Sequence, residues 1–153
     1  MNIYNRITIK KGRINEVSNF LEKELPNIFN IVRDRLKVVR NVGHLGGAGY
    51  PDVRVDYDHN KVVYLDIKAT TRPDTASTRD FYFTPLGETK RKVTLSAKHA
   101  VLGFVVDGKP NMFKIIGWKL SDLSKIRVGT KPEFNADNLE IYKKEAILNE
   151  NHV

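Results

Sequence analysis

The chain reads as a mixed α+β domain, a central mixed β-sheet flanked by helices. Three observations predict this. Residues 14–25 carry apolar side chains at helical spacing. Residues 52–70 hold two alternating apolar runs around a short polar break, and residues 100–118 hold two apolar runs around an Asp-Gly turn. Helix first and strands afterwards is an α+β order.

Ile14, Val17, Phe20, Leu21 and Leu25 set the helical face. Pro26 has a fixed φ and no N–H, so the pattern predicts a break there and a second helix running to about Arg40. Ile28, Ile31, Val32, Leu36 and Val39 would face inward, with Arg33, Lys37 and Arg40 outside. Residues 43–50, GHLGGAGY, form a glycine-rich loop. DVRVDY (52–57) and KVVYLDIKAT (61–70) read as strands joined by Asp58, His59 and Asn60. Residues 71–80 read as an exposed loop, 81–84 as a short strand and 94–99 as a short helix. AVLGFVV (100–106), Asp107-Gly108 and MFKIIGW (112–118) make a hairpin that places Trp118 in the core. A helical turn is expected at 121–126, and 129–153 is polar and weakly periodic. The length of 153 residues fits one domain over 1–153, with a core at about 10–120 and an extension at about 121–153.

Composition narrows the function. Cysteine is absent, which excludes a disulfide scaffold, a thiolate metal site and a Cys nucleophile, and fits a reducing, cytoplasmic setting. No apolar run reaches the ~20 residues of a membrane span. The net charge is +8, and residues 1–50 hold nine basic side chains against four acidic ones. Such an excess on a compact domain suits a polyanion such as nucleic acid.

One constellation carries chemistry. Pro51-Asp52 precedes Asp66-Ile67-Lys68, and an antiparallel register pairing Val53 with Leu65 and Val55 with Val63 puts the valines, Leu65 and Ile67 on one face. The same register sets Asp52 opposite Asp66, with Cβ atoms ~4.5–5.5 Å apart, and Lys68 follows ~6.6 Å along the strand. Two adjacent carboxylates repel, and a divalent cation with oxygen ligands relieves them. Lys68 can then assist a water or steady charge on a phosphate oxygen. Pro73-Asp74 stands at the same distance before Glu88, but no alternating strands hold that copy together.

These residues resemble the PD-(D/E)xK nuclease superfamily, reading PD at 51–52 and DIK at 66–68. The resemblance implies a restriction-endonuclease-like core and a DNA endonuclease dependent on Mg²⁺, with Mn²⁺ able to substitute. It implies that Asp52, Asp66 and the Ile67 carbonyl hold the metal and that Lys68 is catalytic. Many members add a Glu on the first helix. Glu16 is the candidate here, with Glu22 and Glu24 competing, because Lys11-Gly12-x-x-x-Glu16 resembles the opening of archaeal Holliday-junction resolvases. The arm after Lys68 resembles type II restriction endonucleases more closely than resolvases. Arg72 and Arg79 in that arm, Lys90, Arg91 and Lys92, and His44 before Pro-Asp are the candidate DNA contacts. The substrate expected is double-stranded DNA, or branched DNA for a resolvase. Cutting two strands calls for a homodimer. A non-catalytic DNA-binding domain is the alternative from another class.

Overall fold

A computed structural model of the chain describes residues 8–32, 35, 39–47, 49–58, 61–71, 91–127 and 129. Its elements are β1 (Thr8–Ile9), α1 (Ile14–Val32), β2 (Val39–His44), β3 (Val53–Tyr57), β4 (Lys61–Thr70), β5 (Lys98–Asp107) and β6 (Phe113–Asp122), then a 3₁₀ turn at Leu123–Lys125. The strands form a six-stranded sheet in the order β1-β6-β5-β4-β3-β2. The β4–β5 pair is parallel and the other pairs are antiparallel, so the sheet is mixed. Among the described residues, no helix is long and apolar enough to cross a membrane.

Hydrophobic alternation sets the register at the sheet centre. Val53 pairs with Leu65, Val55 with Val63 and Tyr57 with Lys61, as the apolar pattern predicts. Val53, Val55, Leu65, Ile67 and Ala69 join Val17, Leu21 and Leu25 of α1 in one buried cluster. The opposite face of β4 is also buried. Val62, Tyr64 and Asp66 point there, and Tyr64 is sealed by the 91–99 segment, donating or accepting at Thr94 and lying against the His99 ring.

Several expectations change. Pro26 does not divide the helical region, because α1 runs through it to Val32. The missing Pro26 N–H leaves the Glu22 carbonyl without its i+4 donor, a cost that packing of the apolar stripe offsets. Helical phase is therefore never reset at Pro26. Phe29 continues the inward stripe, whereas Ile31 is 83% exposed rather than inward. Arg40 and Val39 lie in β2, not in a helix. Residues 94–99 are not helical, and β5 already begins at Lys98.

Trp118 is 59% exposed rather than core. It pairs with buried Phe104, so both project from one face, but α1 packs over β2 and β4 and leaves that part of the face open. Asp107-Gly108 forms the expected turn: Gly108 has φ of 122°, and its N–H is held by the Asp107 carboxylate. The expected strand at 81–84, the loop at 72–80 and the polar stretch at 130–153 lie outside the described residues.

The continuous helix makes a direct prediction. Leu21→Ala should lose roughly 2–5 kcal/mol in urea unfolding, because Leu21 is buried against the sheet. Ile31→Ala should change stability by no more than about 0.5 kcal/mol. A second helix with a new phase would give Ile31→Ala the larger loss.

Candidate active site

The site forms where β3 parts from β4. The pairing of the two strands stops at Val53 and Leu65, while β4 continues to Thr70. Asp52 sits at this fork. Its N–H donates to the Leu65 carbonyl at 3.1 Å, and its carbonyl accepts from Leu45 N–H at 2.8 Å. Its side chain then takes the place of the departed strand, for Asp52 Oδ2 accepts the Ile67 N–H at 2.7 Å. A β4 donor that would otherwise lie unpaired at an opening in the sheet is satisfied by a carboxylate.

Asp66 is only 2% exposed, and it is the buried charged residue of the described core. Lys68, two residues on and therefore on the same face, forms an ion pair with Asp66 Oδ2. That oxygen is buried and has no hydrogen bond of ordinary geometry. Burial pushes the Asp66 carboxyl up to about 6. The Lys68 cation opposes that rise, while the Asp52 charge and a hydrogen bond with the Asp52 carboxyl add to it. The two acids expected to face each other thus lie side by side on β4 and its fork, with the lysine paired to Asp66.

A third carboxyl comes from α1, and it is Glu22 rather than Glu16. Burial pushes Glu22 up to about 7, with the charges of Asp52 and Asp66 adding and those of Lys68 and Lys92 opposing. Glu16 instead caps the helix: its Oε2 accepts Gly12 N–H at 2.9 Å and Arg13 N–H at 3.3 Å. Six residues of helix set the two side chains ~120° apart around the axis, so they point in different directions. His44 Nε2 lies 3.9 Å from Glu22 Oε2, at the same end of the sheet.

Lys92 differs from its sequence-based reading as a phosphate contact. Its ammonium donates to the carbonyls of Gly47, Gly49 and Pro51, which occupy its three N–H groups. Arg91 is exposed. Arg72, Arg79 and Lys90 lie outside the described residues, as does the Pro73-Asp74 and Glu88 pattern. His99, joined to the Tyr50 hydroxyl through Nδ1 and packed between Tyr50 and Tyr64, plays a structural part. Burial lowers its pKa and holds the ring neutral.

The donors suit a hard cation. Mg²⁺ keeps several waters and takes one or two carboxylates plus substrate phosphate. Two neighbouring carboxyls, one of them buried and balanced by a single lysine, match that demand. Among the described residues, no three His, Cys, Asp or Glu side chains close into a full metal cage. Sequence spacing located Asp52, Asp66 and Lys68. It could not select Glu22, whose place depends on where the continuous helix crosses the sheet.

The raised carboxyls predict an inverted pH response in the absence of divalent cation. Asp66 moves from 3.8 to about 6 and Glu22 from 4.5 to about 7, so across this window the folded chain holds more protons than the unfolded one. The difference, unfolded minus folded, is negative, so this contribution to stability falls as pH rises and is fully unfavourable above about 7. Thermal melts should find Glu22→Gln and Asp66→Asn stabilised relative to wild type at about pH 8, with the gain shrinking toward about pH 5. Equal effects at both pH values would contradict the assignment.

Residues 1–145 match the model of a family described as the type II restriction enzyme MjaV family. The type II restriction enzyme MjaV of Methanocaldococcus jannaschii is 33% identical over 145 residues, a match covering 90% of this chain and 63% of that relative. No solved structure matches the chain. On the strength of the family match along nearly its whole length, the chain belongs to the type II restriction enzyme MjaV family.

Proposed function

We propose that the chain is a Mg²⁺-dependent DNA endonuclease of the type II restriction kind, with a PD-(D/E)xK site at Asp52, Asp66 and Lys68. The observation that carries this reading is the bond from Ile67 N–H to the Asp52 carboxylate, which holds Asp52 next to buried Asp66 and its Lys68 partner. Membership in the restriction enzyme family supports duplex DNA as the substrate class.

Each residue has a distinct task. Asp52 and Asp66 would hold the cation, with Glu22 completing the acidic wall and the Ile67 carbonyl at the same strand position. A hard divalent cation there would supply Lewis-acid stabilisation of a phosphoryl oxygen and ease deprotonation of water. Lys68, released from Asp66 as charge accumulates on phosphate, would donate to the phosphoryl oxygen and steady the transition state. Glu22, with its carboxyl pushed up to about 7, is tuned to take up or give a proton near neutrality. His44 at the rim and exposed Arg91 would meet the DNA backbone, with Arg72, Arg79 and Lys90 as further contacts. Two copies related by a two-fold axis would cut the two strands, Mn²⁺ could replace Mg²⁺, and the protein would work in the cytoplasm.

Digestion of linear phage DNA tests the proposal. Wild type with Mg²⁺ should give discrete fragments, and EDTA should abolish them. Asp52→Asn, Asp66→Asn and Lys68→Met should each cut at least roughly 10²-fold more slowly while retaining duplex binding. Metal-independent binding with no cleavage by wild type would identify a non-catalytic DNA-binding protein. Cutting of four-way junctions regardless of sequence would identify a resolvase.

A further inference from the structure

The approach to Asp52 is a run of backbone with little stiffness of its own. Gly46, Gly47 and Gly49 all have positive φ, at 59°, 68° and 85°. Glycine gains these conformations freely, and for the same reason loses more freedom than other residues when fixed. Such a loop would not by itself hold a carboxylate to the sub-ångström placement that a metal site needs.

Lys92 adds a constraint on the loop to the bonds that Asp52 makes with Leu45, Leu65 and Ile67. Its Nζ lies 3.1 Å from the Gly47 carbonyl, 2.7 Å from that of Gly49 and 3.1 Å from that of Pro51. These are charge-assisted bonds, stronger than neutral ones, and together they close the loop around one cation. The third ties the residue directly before Asp52. Pro51 is itself buried, and the Tyr50 hydroxyl is joined to His99 on β5. The loop is thus pinned from the 91–99 segment on two sides, immediately ahead of the residue that bridges β3 to β4.

We propose that Lys92 is a positioning residue: by gathering the Gly47, Gly49 and Pro51 carbonyls it fixes the glycine-rich loop and so sets the Asp52 carboxylate against β4 and Asp66. Lys92 touches neither the Asp52 carboxylate nor, on this account, the DNA. Its three donors are engaged by the protein, in contrast to a phosphate-binding lysine. The consequence for metal affinity rests on the nuclease reading above; the consequence for loop order does not.

Wild type, Lys92→Met and Lys92→Arg separate the possibilities. In the full chain, without metal or DNA, amide hydrogen exchange over residues 45–52 should be at least ~10-fold faster in Lys92→Met, with the β5–β6 hairpin unchanged. Electron paramagnetic resonance titration should show Mn²⁺ bound ~10-fold more weakly by Lys92→Met, as for other groups that orient ligands. Lys92→Arg keeps the charge and several donors and should recover most of both properties. The salt dependence of duplex binding should keep its slope in Lys92→Met, whereas loss of a phosphate contact would reduce it by about one. Unchanged exchange over 45–52 overturns the clamp. Faster exchange with unchanged Mn²⁺ affinity overturns the positioning role, and a reduced salt slope with unchanged Mn²⁺ affinity makes Lys92 a DNA contact. Should wild type bind no Mn²⁺, the nuclease reading fails, while the exchange result still upholds or overturns the clamp.

Discussion

The bond from the Ile67 amide to the Asp52 carboxylate is the constraint on which the site depends. A β-ladder that ended at Val53 and Leu65 without it would leave a β4 donor unpaired inside the molecule. Because an aspartate fills that position, the sheet can open there without a polar penalty. The same bond fixes where the Asp52 carboxylate lies. It sits beside Asp66, whose place on β4 is set by the parallel strand β5, where it pairs with Val101. Structural satisfaction and functional placement are thus one interaction.

The cost of the arrangement appears in its electrostatics. Asp66 is buried, paired with Lys68 and raised by the charge of Asp52, and Glu22 adds a third carboxyl within range of their charge. Burying like charges is unfavourable, and the carboxyls respond by holding protons to higher pH. Such strain is expected where a protein keeps a site ready for a cation instead of optimising its own stability. One lysine, Lys68, offsets the acids directly. The other, Lys92, acts on the loop that leads to them.

The readable parts of the sequence were those governed by local period and burial. The β3–β4 register follows from valines at alternate positions, because a one-residue slip would bury Asp66 among Val53 and its neighbours. The hairpin at Asp107-Gly108 follows from turn chemistry. Long-range packing was not readable. Pro26 signals a helix break locally, yet the packing of Leu21, Leu25 and Phe29 carries α1 through it. Trp118 has a core residue's composition but lies where α1 does not cover the sheet. Glu16 and Glu22 are both acidic helix residues, and only the crossing of helix over sheet decides between them. Lys92 looks like a DNA contact in a basic run, and only the folded loop shows its carbonyl partners.

A crystal of the full chain soaked in Mn²⁺, with data collected at the manganese absorption edge, would locate a cation bound at the fork. An anomalous peak coordinated by the carboxylates of Asp52 and Asp66, with the Asp52–Ile67 bond retained, is expected. A fully occupied peak elsewhere, or none at a concentration that supports other manganese nucleases, would contradict that placement.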